Sequence, residues 1–291
     1  MTYVAWIIIT ASLVGFTCGI MGVFLILRKQ AMMADAISHT VLLGIVFAYL
    51  VTNQATGWAM LIGGILAGLF TAFLVETLKT VDIQHDASIG IVFTTLFAIA
   101  VILLSTSVGN VHLDVQHALM GEITFIPFHT MTLPIIGEIP EATVLLAVVL
   151  VIVLLFLTLF YKEWKITSFD PALAASLGMP VLFLHYLFMS LVSITTVASF
   201  DAVGAIMVVA MLITPAAAAY LWTDRLFIMF ILSGSFGVIS AISGYLVAAW
   251  IDTSISGSMA FMTGIVFVIS FIFSPKHGLI SKRLKPETNY S

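Results

Sequence analysis

The chain alternates between long apolar runs and short polar interruptions. The runs fall at about 3–27, 31–52, 57–78, 88–108, 141–161, 184–199, 203–222, 226–250 and 258–274. Most are close to the roughly 20 residues that a helix needs to cross the hydrocarbon core. The pattern therefore predicts nine transmembrane helices, with 184–199 short for a span. Lys and Arg act as punctuation, and all ten sit at Arg28, Lys29, Lys79, Lys162, Lys165, Arg225, Lys276, Lys282, Arg283 and Lys285. Alternating the connections between two sides gathers 28–30, 79–87, 162–183, 223–225 and 275–291 on one side, and with them every basic residue. Basic loops stay cytoplasmic, so the N-terminus is expected outside and the C-terminus inside. The outer connections hold Asp114, Glu122, Glu138, Glu141, Asp201 and Asp252.

Composition agrees with this pattern. Of 291 residues, 62% are hydrophobic and 8% charged, against about 25% charged in ordinary soluble domains. The mean hydropathy is +1.21. So few polar side chains cannot cover a soluble globule, which excludes a cytosolic enzyme, a nucleic-acid binder and a disordered chain. The net charge of −4 says little about partners. A single cysteine, Cys18, excludes an internal disulfide framework. The start MTYVAWIII lacks a basic leader region, so the first apolar run is expected to remain as a span. Gly63, Gly64 and Gly68 in the third run and Gly234, Gly237 and Gly244 in the eighth suit close helix approach in lipid, although glycine is also common in membrane helices generally. No repeat, low-complexity segment or soluble domain is visible.

Polar residues inside the runs carry the candidate chemistry. Asp35 and His39 are spaced i, i+4 in the second run and share a helix face. At about 1.5 Å per residue, Asp35 stands roughly 9 Å and His39 roughly 15 Å above Lys29. That depth is expensive for ionisable groups, which there usually face a partner or a pathway. Carboxylate and imidazole together suit a divalent transition metal. A structural hydrogen bond between the two is the bland alternative. A second cluster, His112, Asp114, His117 and Glu122, follows the fourth run and fits either a metal-admitting site at the outer face or a solvated loop. Asp201 is expected to open the seventh span, as a dipole-favoured cap. His85, His129, His185 and His277 are expected in loops or at the interface.

The inner segment 162–180 has its own helix grammar. Asp170 suits an N-cap, Pro171 the first helical position and Gly178 the position after the C-cap, while Pro180 blocks continuation. This predicts a short helix over about 171–177 on the inner face, either a simple connector or a docking element. The chain carries no GxxxxGK[ST], HExxH or GxSxG motif, so no P-loop, zinc-protease or serine-hydrolase chemistry is expected.

Five stretches then resemble the permease subunits of the bacterial ABC importers for zinc, manganese and iron. They are LRKQAMMADAISHTVLLGIV at 27–46, IGIVFTTLFAIAVILLS at 89–105, HLDVQHALMGEI at 112–123, SFDPALAASLGMP at 168–180 and VGAIMVVAMLITPAAAA at 203–219. The resemblance implies an all-α fold like that of the vitamin B12 and siderophore importer permeases, with one permease domain over 1–275 and a short basic tail over 276–291. It implies two permease subunits, identical or paralogous, around a shared pathway, two ATPase subunits docked on the coupling segment, and an extracellular metal-binding protein that delivers the ion. It places Asp35, His39, Asp114 and His117 with the metal, and Phe169, Asp170, Pro171, Leu173, Leu177 and Gly178 with the ATPase. No permanently bound cofactor is expected; the metal is cargo. Oxygen and nitrogen ligands without thiolates or a His-rich loop tilt the expected ion to manganese over zinc or iron. A second class stays open on the residues alone, a proton-coupled secondary metal transporter that uses Asp35 and His39 as a relay. The orientation is directly testable: cysteines placed in 282–291 should resist membrane-impermeant thiol reagents applied to intact cells, and strong labelling there would reverse the topology.

Overall fold

A computed structural model of the chain describes residues 3–52, 58–81, 83–107, 123–128, 130–133, 137–276 and 278–279. The elements run α1 (Tyr3–Leu27), α2 (Ala31–Thr52), α3 (Trp58–Lys79), α4 (His85–Ser107), a 3-10 turn (Ile123–Phe128), the strands β1 (Thr130–Leu133) and β2 (Gly137–Pro140), α5 (Glu141–Leu159), α6 (Tyr161–Phe169), α7 (Pro171–Ser176), α8 (Val181–Val203), α9 (Ala205–Trp222), α10 (Leu226–Ile251) and α11 (Ile255–Phe273). Among the described residues, nine of these helices are long and apolar enough to cross a membrane: α1 to α5 and α8 to α11. That matches the predicted number of spans.

The differences lie at the boundaries. The sixth span is not short: α8 runs 23 residues, and a single residue, Gly204, separates it from α9. Gly204 has φ 80° and ψ 163°, a conformation that essentially only glycine adopts. Position 201 consequently lies in the last turn of α8 and does not open α9, so the helix-start rationale for Asp201 falls away. The segment 162–180 is also less of a loop than expected. Only Phe160 separates α5 from α6, which covers all of 162–169 as helix. Between α4 and α5, β1 and β2 form an antiparallel hairpin that pairs Thr130 with Pro140 and Leu133 with Gly137. Its end of the bundle is tied to the start of α1 through the Tyr3 hydroxyl, which donates to the Thr124 carbonyl.

α1 is the most buried span, and α4, α5 and α11 are the least. Lipid offers no hydrophobic drive for helices to associate, so contact depends on small residues and interhelical hydrogen bonds. α1 supplies both. A Cβ built at Gly237 of α10 would lie 2.1 Å from the Gly15 carbonyl oxygen, and one at Gly22 would lie 1.7 Å from the Leu212 carbonyl oxygen of α9. Ser233 of α10 donates to the Gly19 carbonyl at 2.6 Å, and Thr10 pairs with Thr143 of α5 at 2.6 Å. α2 and α3 meet in the same way, with a Cβ at Gly44 only 2.1 Å from the Gly63 carbonyl oxygen. All six glycines singled out by sequence sit at close contacts between helices, Gly63, Gly237 and Gly244 against backbone and Gly64, Gly68 and Gly234 against side chains, whereas Gly90 and Gly264 face open space.

The two kinds of glycine should behave oppositely. Gly15→Leu or Gly44→Leu must separate two backbones, and is expected to abolish a monodisperse, heat-resistant species in detergent. Gly90→Ala and Gly264→Ala meet nothing and gain about 1 kcal/mol of helix propensity. Thermal-shift chromatography of the four variants is the check, and equal tolerance of all four would refute the packing assignment.

Candidate functional site

The site begins on α2. One face of this helix packs inward through Ala34, Ala36, Ile37, Ser38 and Val41, all buried. Asp35 and His39 fall on a neighbouring edge, each with a third of its side chain exposed. Asp35 Oδ1 and His39 Nε2 lie 3.5 Å apart, too long for a firm hydrogen bond but close enough for both to meet one ion. The predicted i, i+4 relation is therefore realised. The imidazole is also held in place by α4. It stacks on Phe93 at 5.7 Å with an interplanar angle of 26°, and meets the edge of Phe97 at 5.6 Å. Sequence reasoning missed these two rings, although their own i, i+4 spacing marks a shared helix face. On the opposite side Thr71 of α3 donates to Thr40 at 2.8 Å, which fixes the rotation of α2. Among the described residues no group of three or more His, Cys, Asp or Glu side chains converges on a point. Asp114 and His117 lie outside the described residues, as do His112 and Glu122.

The end of the bundle where α1 turns into α2 is built around an aromatic cluster. Phe24 of α1 meets Trp164 of α6, Phe188 of α8 and Phe230 of α10 at 5.9, 5.9 and 5.4 Å. Trp164 is fully buried, and its indole nitrogen donates to the Leu184 carbonyl at 3.2 Å. These contacts lock α6 to the spans, and α6 leads directly into α7. The short helix has the caps that its sequence predicts. The Leu173 amide donates to Asp170 Oδ1 at 2.9 Å, and Pro171 occupies the first helical position. At its end Gly178 has φ 77°, and the amides of Gly178 and Met179 donate back to the carbonyls of Ala175 and Ala174. That is a Schellman closure with glycine in the left-handed position. Ala174 faces inward, while Phe169, Leu173 and Leu177 are 63%, 49% and 60% exposed. Three large apolar side chains thus stand out from a segment that is otherwise polar or small.

The turn between α1 and α2 closes in the same manner, but with lysine. Lys29 has φ 56°, and the amides of Lys29 and Gln30 donate to the carbonyls of Ile26 and Leu25. A left-handed residue other than glycine costs roughly 1–2 kcal/mol. Beside this turn lies a cavity of about 390 Å³, lined among others by Arg28, Gln30, Glu76, Lys79 and His185. Glu76 pairs with Lys79 at 2.7 Å, and His185 Nε2 lies 3.9 Å from the same carboxylate oxygen. His85 opens α4 and His185 falls in the first turns of α8. Burial pushes the Arg28 guanidinium down to about 10, so it remains charged at neutral pH.

A bundle with nine apolar spans among the described residues, an acid–imidazole pair on one edge of α2 and a capped helix presented at one end, has the build of a polytopic membrane transport component. Comparison with known proteins makes this specific. The ABC 3 transport family matches residues 1–274. The manganese transport system membrane protein MntD of Bacillus subtilis is 55% identical over 98% of this chain and 97% of its own. The zinc transport system membrane protein TroD of Treponema pallidum is 42% identical over 96% of this chain and 76% of its own. Among solved structures, PsaBC from Streptococcus pneumoniae in complex with Fab superposes with a TM-score of 0.81 at 33% identity, covering 97% of this chain and 96% of that one. The chain belongs to the ABC 3 transport family, the permeases of metal ABC importers, and is a multi-pass bacterial membrane protein.

Proposed function

We propose that this chain is the membrane subunit through which a divalent transition metal, manganese foremost, passes into the cytoplasm, driven by a separate ATPase. The observation that carries the reading is the Asp35–His39 pair, 3.5 Å apart on a half-exposed edge of α2. A charged residue at such depth costs about 3 kcal/mol at a helix centre unless it is paired, solvated or metal-bound. In a two-fold assembly of permease subunits this edge faces the shared axis, so two pairs together offer up to four oxygen and nitrogen ligands. Such a set holds a metal transiently, without the closed shell of thiolates or imidazoles that makes a trap. Asp114 and His117 contribute on the outer side. Manganese is favoured over zinc because a relative named for manganese transport shares 55% of its residues, against 42% for one named for zinc.

The rest of the assembly follows from the two ends. The N-terminus is outside and α7 is cytoplasmic, since that orientation keeps all ten basic residues inside. α7 docks in a cleft of an ATPase subunit through Phe169, Leu173 and Leu177, with Asp170, Pro171 and Gly178 fixing its shape. Two ATPase subunits drive two permease subunits, and an extracellular metal-binding protein delivers the ion.

Two experiments test this. Asp35→Ala and His39→Ala are expected to lower manganese accumulation in cells by at least about ten-fold, with expression and ATPase docking intact. His39→Asp should retain part of the transport if the residue is a ligand, because a carboxylate still coordinates. Normal uptake by both alanine variants would remove the pair from the pathway, and uptake that persists without the ATPase would point to proton coupling. Separately, Leu173→Asp with Leu177→Asp should abolish co-purification of the ATPase while membrane insertion persists, since both side chains are exposed. Undiminished co-purification would reduce α7 to a connector.

A further inference from the structure

Arg28 stands at the junction of the two halves of the site. Its side chain leaves the α1–α2 turn and runs beneath the aromatic cluster. The guanidinium carbon lies 4.6 Å from the centre of the Phe188 ring and 5.8 Å from that of Phe24. Nε donates to Ser168 Oγ at 2.9 Å, and Nη2 donates to Thr167 Oγ1 at 3.2 Å. Both acceptors belong to the last turn of α6, immediately before Asp170 caps α7. On the other side, Arg28 is separated from the start of α2 only by Lys29 and Gln30, whose amides are tied back to α1. Seven residues further on is Asp35.

This placement is unusual for a partly buried cation. A buried charge normally meets an opposite charge, yet the hydrogen-bond acceptors of Arg28 among the described residues are two neutral hydroxyls. The nearby carboxylate, Glu76, is engaged by Lys79 at 2.7 Å. Neutral acceptors and ring faces hold a guanidinium less tightly than a carboxylate does. The cavity beside it, about 390 Å³, leaves room for the side chain to move. A grip of moderate strength, next to free volume, between a docking segment and a pathway helix suits a contact that transmits movement.

We propose that Arg28 is a positioning residue that carries displacement of the α6–α7 segment into α2, and so into the Asp35–His39 pair. The inference rests on the proposed transport function. It identifies where the work of the ATPase reaches the metal pathway. The Lys29 turn serves the same end: its two hydrogen bonds close on α1, and the Gln30 carbonyl accepts from the Met33 amide of α2, so the turn bridges Arg28 to the start of α2.

The test uses the full importer, permease with its ATPase, in three variants: Arg28→Met, Arg28→Lys, and Thr167→Val with Ser168→Ala. The last removes the acceptors and leaves the arginine in place. Assembly, ATP hydrolysis and accumulation of manganese and zinc are measured for each. Arg28→Met and the double variant are expected to keep ATPase co-purification and hydrolysis within about two-fold of the wild type, while metal accumulation falls by about ten-fold or more. Arg28→Lys, with the charge but not the forked donor geometry, should recover only part of the loss. Should Arg28→Met fail to reach the membrane, the double variant decides. Uptake falling only in parallel with assembled complex would make Arg28 a structural anchor and overturn the proposal, as would unchanged uptake. A wild-type complex that accumulates neither metal would instead overturn the transport function itself.

Discussion

Helices in a bilayer cannot be driven together by water, because lipid tails receive an apolar side chain as well as another helix does. What holds this protein together is therefore close contact between backbones. At Gly15 against Gly237, Gly22 against Leu212 and Gly44 against Gly63, one helix approaches another so nearly that no Cβ fits between them. Dispersion contacts along these seams replace the hydrophobic drive of a soluble core. Hydroxyl groups such as Ser233, donating to the Gly19 carbonyl, add polar links that would be costly to break where no water can replace them.

This packing also decides where chemistry can sit. α2 is pressed against α3 at Gly44 and held in rotation by the Thr40–Thr71 hydrogen bond. The inward face of α2 is consumed by these contacts, and the edge left over carries Asp35 and His39. Phe93 and Phe97 then limit how far the imidazole can turn. The acid–imidazole pair is thus held by packing on one side and left partly exposed on the other.

Just before the start of α2, about two turns from Asp35, the structure changes character. The Phe24, Trp164, Phe188 and Phe230 cluster is a rigid knot joining α1, α6, α8 and α10. Beneath it, polar groups gather around a cavity, and the chain leaves the spans as two short helices. The aromatic cluster thus holds α6 against the spans, while a cavity borders the contact of α6 and α7 with the α1–α2 turn.

The sequence by itself determined what is local. Span number followed from apolar run length, because bilayer thickness sets how much helix is needed. The ends of α7 followed from Asp170, Pro171 and Gly178, because caps are satisfied by residues within one turn of each other. The shared face of Asp35 and His39 followed from helical periodicity alone. Tertiary structure decided what depends on a partner far along the chain. Gly15 and Gly90 are the same residue in similar apolar surroundings, yet one touches a backbone 222 positions away and the other touches nothing. Arg28 reads as a charge marking the end of a span, yet it is partly buried and hydrogen-bonded to residues about 140 positions on. α8 reads as short because polar residues near its ends suggested loops, yet the helix continues to Gly204, where a positive φ breaks it. In lipid a buried and an exposed helix face are equally apolar, so hydropathy cannot tell them apart. Only the packed bundle shows which edge of α2 is left partly exposed.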